Sequence, residues 1–220
     1  MKIEHFMIGV GAVLGLGAFA LTPRRVPVKC RSVPPGVLML TAPFIDTDVA
    51  GAFLYALDQH RGPDTTIVVH TRGGLVVSCA QIAEALLNSE NTVIVPYMAF
   101  SGGTLIALSA SKLKMGDYAA LTPVDPIIDE QRAIHSKDFD DPVLRKYAEE
   151  YTSAMSGLVD RILDARLAVV SRKERARDFL LGRKSPHGWP AGRNEIAELG
   201  FAVEAAGPGW GQILCFQGGA

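Results

Sequence analysis

Residues 67–128 read IVVHTRGGLVVSCAQIAEALLNSENTVIVPYMAFSGGTLIALSASKLKMGDYAALTPVDPII. Two glycine pairs punctuate the stretch: Gly73-Gly74 just after an apolar run, and Gly102-Gly103 directly after Ser101. Short apolar runs bounded by such signals are strands, whereas apolar residues recurring every three to four positions mark helices. On that basis 37–40, 66–70 and 92–96 are expected strands, and 46–60, 75–87 and 102–110 are expected helices. The helix at 46–60 starts at an Asp or Thr cap and carries Val49, Phe53, Leu54 and Leu57 on one face. The βαβαβα order implies a parallel sheet, and in such sheets the functional residues gather at the carboxyl ends of the strands. Both glycine pairs fall there.

Ser101 stands where an apolar segment meets a glycine-rich helix start, and the other glycine pair can bring backbone N–H groups toward the same point. Acyl transfer requires a nucleophile and donors for the oxyanion it creates. A serine that only caps a helix is the alternative reading of the same residue. Met98, Phe100 and Leu75 near the two loops suit either an apolar substrate cleft or ordinary core.

With 220 residues, 48% of them hydrophobic, and a net charge of -1, the chain is expected to form one compact domain with a sizeable core. That balance does not point to nucleic acid as a partner. Cys30, Cys79 and Cys215 match no metal or redox spacing, so they read as reduced thiols, with no metal site. No G-x-G-x-x-G fingerprint follows the first strand, so no nicotinamide cofactor is expected.

The division of the chain follows its composition. Residues 1–25 contain the uncharged run FMIGVGAVLGLGAFAL at 6–21, expected as a membrane anchor, with a cleaved signal peptide as the alternative because Ala18-Phe19-Ala20 resembles a cleavage site. Arg24, Arg25, Lys29 and Arg31 follow the run against Lys2 before it, which predicts a single-pass membrane protein with its main domain in the cytoplasm. Residues 26–36 are a proline-rich linker, 37–206 the globular domain, and 207–220 a tail expected as a surface loop with a frayed end. In the second half, 142–164 and 172–181 read as helices.

The stretch 67–128, with SGGTLIAL at 101–108 and Thr122-Pro123-Val124-Asp125-Pro126, resembles the serine dehydrogenase proteinase family, membrane-anchored members of the ClpP/crotonase superfamily related to signal peptide peptidase A. The apolar N-terminal run, Pro186-His187-Gly188-Trp189-Pro190 and Glu198-Leu199-Gly200 resemble it as well. The resemblance implies an α/β fold, a ClpP/crotonase-like spiral of ββα units, in a homo-oligomeric serine peptidase acting on peptide or protein substrates without a cofactor. It makes Ser101 the nucleophile and assigns the oxyanion hole to the N–H groups of Gly73 or Gly74 and of Gly102. Two departures stand out: Arg72 where the family has a proline, and Ser111-Lys112-Leu113-Lys114 in place of a more acidic segment.

The base is less plain. In ClpP a histidine follows the serine at a place that here falls around Pro123 to Pro126, which offers Asp125 but no histidine. Signal peptide peptidases use a lysine instead, which works only if burial lowers its pKa from about 10.4 toward neutrality. Lys146 stands in a comparable place and is the first candidate, with an exposed lysine paired to Glu149 or Glu150 as the other reading and Lys137 as the runner-up. His187 is the third way to supply a base, although the Asp that follows it in the family is Gly188 here; a structural histidine in a tight turn is the alternative. His70 and His135 are weaker, the first expected to end a strand beside the site. Asp125 either orients a base or caps a turn. Two functions stay open on this reading: a membrane-tethered serine peptidase, and a catalytically silent membrane-bound scaffold.

Overall fold

The computed structural model describes residues 32–60, 65–128 and 131–214, without the side chains of 132, 134 and 137. The expected anchor and most of the linker lie outside the described residues, as does the end of the tail. Among the described residues no helix is long and apolar enough to cross a membrane.

Five parallel strands form the main sheet: β1 (Val37–Leu40), β2 (Thr66–Val69), β3 (Thr92–Val95), β5 (Lys112–Met115) and β10 (Val203–Ala205), in that spatial order. Their alternation serves two faces. Leu38, Leu40, Ile67, Val69, Val93 and Val95 join the large core under the helices, whereas Val68 and Ile94 pack on the other side with Val37, Met39, Trp210 and Leu214. Strands buried on both faces read as continuous apolar runs, which is why β1 to β3 are plain in the sequence. The described part of the tail packs on the second face of the sheet through Trp210 and Leu214, and just before it Ala206 N–H donates to Met115 O at 2.9 Å.

Between the strands lie α1 (Thr47–Gln59), α2 (Val76–Leu87) and α3 (Gly102–Leu108), as the periodicity predicts. Asp46 is the N-cap of α1, its carboxylate accepting Val49 N–H at 2.9 Å, and Ala50, Phe53 and Leu57 are its buried stripe. Every residue of α3 is buried, so it runs through the middle of the domain. Then α4 (Pro142–Arg166) starts at Asp141, which accepts from Val143 N–H and Leu144 N–H, and buries Ala148, Met155, Leu158, Val159, Ile162 and Leu163. Against it pack α5 (Val170–Leu180), joined by Arg177 to Asp160 at 2.7 Å, and α2, joined by Arg161 to Glu84. The short α6 (Arg193–Glu198) leads into β10.

A second, smaller sheet holds the site. It consists of β4 (Met98–Ala99), β6 (Ala120–Leu121) and β9 (Ala191–Gly192). Strand β4 runs parallel to β6, with Ala99 opposite Leu121, and β9 runs antiparallel to β6, with Ala191 opposite Leu121. Isolated parallel bridges join Thr71 to Ala99 and Ile45 to Gly74 in the same layer. Main-sheet strand, short second-layer segment and helix thus follow one another, most completely in β3–β4–α3. A small hairpin, β7 (Ile127–Ile128) with β8 (Gln131–Arg132), leads from β6 toward α4.

Candidate active site

Parallel β4 and β6 end at the same edge, and antiparallel β9 begins there. The residues just after β4, just after β6 and just before β9 are therefore brought together: Ser101, Thr122 to Pro126, and His187. Three sequence candidates that are far apart along the chain share one sheet edge for this reason.

Ser101 has φ 50° and ψ -120°, and it is the only non-glycine residue with positive φ among those described. This region is unfavourable for any residue with a Cβ. Ser101 occupies the N-cap position of α3, yet its side chain makes no capping hydrogen bond. The serine thus holds the N-cap position without capping through its side chain, and it is among the residues that line a cleft.

Gly73, with φ 101°, lies against the same turn. A Cβ on it would stand 2.8 Å from Phe100 O, 3.0 Å from Gly102 N and 3.0 Å from Ser101 Cβ. A Cβ on Gly74 would run into the backbone of Ile45, and one on Gly102 into the Cys79 side chain. Both glycine loops are thus in contact, and only glycine fits. Of the two oxyanion alternatives, Gly73 N–H is already engaged, donating to Thr71 Oγ1 at 3.1 Å. The N–H groups of Gly74 and Gly102 have no acceptor among the described residues, and the Cβ position of Gly102 is 3.8 Å from Gly74 N. Helices α2 and α3 both start here without a side-chain cap, so their positive ends add to the local potential.

Asp125 is fully buried, and His187 Nδ1 lies 3.1 Å from its Oδ1. A buried carboxyl must have hydrogen-bond partners, and a residue 62 positions away supplies one here. Asp125 is more than a turn residue, and the partner missing beside His187 in sequence arrives from the β6 side. The histidine sits in a tight turn closed by Trp189 N–H to Pro186 O at 3.0 Å, but its ring bonds across the sheet edge rather than within that turn. Ser101 Oγ and His187 Nε2 are not hydrogen-bonded to each other.

Lys146 is elsewhere. Its side chain is 76% exposed on α4 and pairs with Glu150 at 3.8 Å, the exposed-lysine alternative, so it lacks the burial that a lysine base depends on. The side chain of Lys137 lies outside the described residues. His135 is exposed in a 3-10 turn, and buried His70 packs its ring edge-on to Tyr97, its pKa lowered by desolvation. Arg72 is exposed.

Beside Ser101 and Gly102 opens a cleft of about 690 Å³. Leu75, Cys79, Leu105, Val124, Ile127 and Met155 line it, while Met98 and Phe100 are not among its lining residues. The Cys79 thiol is pushed up to about 12 by burial, which makes it an apolar wall rather than a second nucleophile.

Three interactions were not foreseen from sequence: the Asp125–His187 contact, Thr122 holding Ser101 N–H at 2.8 Å, and Cys79 packed under Gly102. The first needed the β6–β9 pairing, which two-residue strands do not announce.

A model of the ClpP-like SDH-type serine proteinases matches residues 37–210. Two uncharacterized proteins of Methanocaldococcus jannaschii, MJ0137 and MJ1495, are 34% and 31% identical to the chain over 155 and 154 residues, each match covering 64% of this chain. The chain spans about half the length of these relatives, 54% and 52%. Among solved structures, ClpP1 from Listeria monocytogenes superposes with a TM-score of 0.55 at 14% identity, over 78% of this chain and 92% of that one, a likeness of fold.

Proposed function

We propose a serine peptidase acting through Ser101, from the premise that the chain belongs to the ClpP-like SDH-type serine proteinase family. The observation that carries the reading is the buried Asp125 bonded to His187 at the sheet edge that also bears Ser101. In this reading the Ser101 hydroxyl attacks a substrate carbonyl while His187 Nε2 takes its proton, and Asp125 holds the imidazole in the required tautomer and stabilises its charged form. The carbonyl oxygen, now negative, accepts hydrogen bonds from Gly74 N–H and Gly102 N–H. Collapse expels the amine, which takes the proton from His187, and leaves an acyl-enzyme on Ser101. Water, deprotonated by the same histidine, then releases the acid and restores the serine.

The apolar cleft suits a peptide with an apolar side chain next to the scissile bond. Peptides and fragments of membrane proteins are the substrates proposed. A single N-terminal span would tether the domain to the cytoplasmic side of a membrane, as the apolar run and the basic residues after it support. A homo-oligomer is proposed in keeping with the ClpP-like fold.

The test is labelling of the purified protein with a fluorophosphonate probe, with the adduct located by mass spectrometry. The expected result is one adduct, on Ser101, absent from Ser101→Ala. A correctly folded wild-type protein that takes no label would overturn the reading in favour of the silent scaffold.

A further inference from the structure

We infer that Thr122 is a positioning residue for the nucleophile, holding Ser101 in its unfavourable backbone conformation by accepting the Ser101 N–H; the inference rests on the peptidase reading of Ser101. A residue at φ 50° stays there only if its surroundings over-determine it. Ser101 N–H donates to Thr122 Oγ1 at 2.8 Å. The Thr122 hydroxyl has one proton, and Pro123 O accepts it at 3.1 Å, which turns a lone pair toward Ser101.

Thr122 is itself held. Its N–H donates to Thr104 Oγ1 at 3.0 Å, and the Thr104 hydroxyl donates to Ala99 O at 2.8 Å. Thr104 lies in the first turn of α3 and Ala99 ends β4, so the chain of bonds ties the strand before Ser101, the helix after it and the end of β6 into one unit. Thr104 and Thr122 are 0% and 1% exposed, so water cannot substitute for a lost partner without opening the core. The β4–β6 register, with Ala99 opposite Leu121, puts Thr122 beside Ser101. Thr122→Val preserves the shape of the side chain but leaves the Ser101 N–H without its acceptor. The strained turn then loses its anchor, and Ser101 loses its fixed place.

A residue that only stabilised the fold would behave differently, and α3 supplies the control. Ser109 at its other end is fully buried, and its hydroxyl donates to Leu105 O at 2.8 Å with no connection to Ser101. The experiment measures fluorophosphonate labelling of the full chain over a range of probe concentrations, separating the maximal rate from half-saturation, for wild type, Thr122→Val, Thr122→Ser and Ser109→Ala. Expected for Thr122→Val is a maximal rate lower by about 10- to 100-fold with half-saturation nearly unchanged, since misplacement of a reacting atom acts on the step and not on binding. Thr122→Ser restores the rate and Ser109→Ala leaves it as in wild type.

A Thr122→Val rate equal to that of wild type, or an equal loss in Ser109→Ala, overturns the inference. If Thr122→Val does not fold, Thr122→Ala makes the same comparison. Hydrogen exchange of the Ser101 amide separates this inference from the reading beneath it. Failure of the wild type to label removes the peptidase while leaving the exchange to be read. Protection lost in Thr122→Val and retained in Thr122→Ser supports the anchor, and equal exchange in all three overturns it.

Discussion

The half of the domain that carries Ser101 and the half that carries His187 are built on different scales. From β1 to β5 each main-sheet strand pairs with the next after a single helical crossover, and Ser101, Gly74 and Gly102 all fall within that stretch. His187 instead arrives through the antiparallel pairing of two-residue β9 with β6 and meets Asp125 across 62 residues. Local periodicity is sufficient to place the proposed nucleophile and its proposed oxyanion donors. The proposed base, delivered by long-range register, depends on the whole second half folding onto the first.

Removing the two candidate bases gives the sharpest contrast and the largest effect. His187→Ala is expected to lower labelling at Ser101 by roughly 10³-fold, in the range that loss of a general base produces, and to lower the thermal midpoint because buried Asp125 loses a hydrogen-bond partner. Lys146→Ala should leave the labelling rate as in wild type, because the lysine is exposed and paired with Glu150. A reversed pattern would break the comparison by returning the base to α4. Asp125→Asn should follow His187→Ala without adding to it in the double variant, since the two act as a unit.

The nucleophile half is tested at Gly73. Substitution by alanine sets a Cβ 2.8 Å from Phe100 O at a φ of 101°. Strain and collision together are expected to cost on the order of 3 kcal/mol, read as a lowered urea midpoint at unchanged slope. An alanine tolerated there would mean that the two glycine loops are not pressed together, and the oxyanion geometry would fail with them.

What was legible follows the same division. Strands β1 to β3 and helices α1 to α4 are foreseen within a few residues because apolar runs and i, i+3, i+4 spacing coincide with burial, as in Phe53 and Leu57 or in Leu158, Val159 and Ile162. Strand β5, KLKM, carries no continuous apolar run: it alternates Lys and apolar residues, with Leu113 and Met115 buried, where β1 is apolar throughout and β2 and β3 are apolar after their first threonine. The irregular tail gave no signal of its packing, because Trp210 and Leu214 find their partners on Val68 and Ile94, a relation with no local period. At the site, SGG and TRGG announced their loops. Asp125 and His187 each had an ordinary alternative until the β6–β9 register joined them.

The smallest expected effect concerns the wall of the cleft, where the two halves meet. Cys79 of α2 and Met155 of α4 both line it, and Cys79 also packs under Gly102. Burial raises the thiol from 9.0 to about 12, so the folded state holds the proton more tightly than the unfolded chain does. The sign follows from linkage: the stabilisation is complete below pH 9 and declines as pH rises from 9 through 12. Other groups titrate in that window, so the contribution is the difference between wild type and Cys79→Ala. Wild type should lose stability more steeply with pH, and the folded protein at pH 8 should resist alkylation at this cysteine. Rapid alkylation without unfolding would mean that the two halves part at the cleft; a resistant thiol with the predicted slope means that they stay closed over Gly102, keeping the proposed oxyanion donors in a fixed frame before substrate arrives.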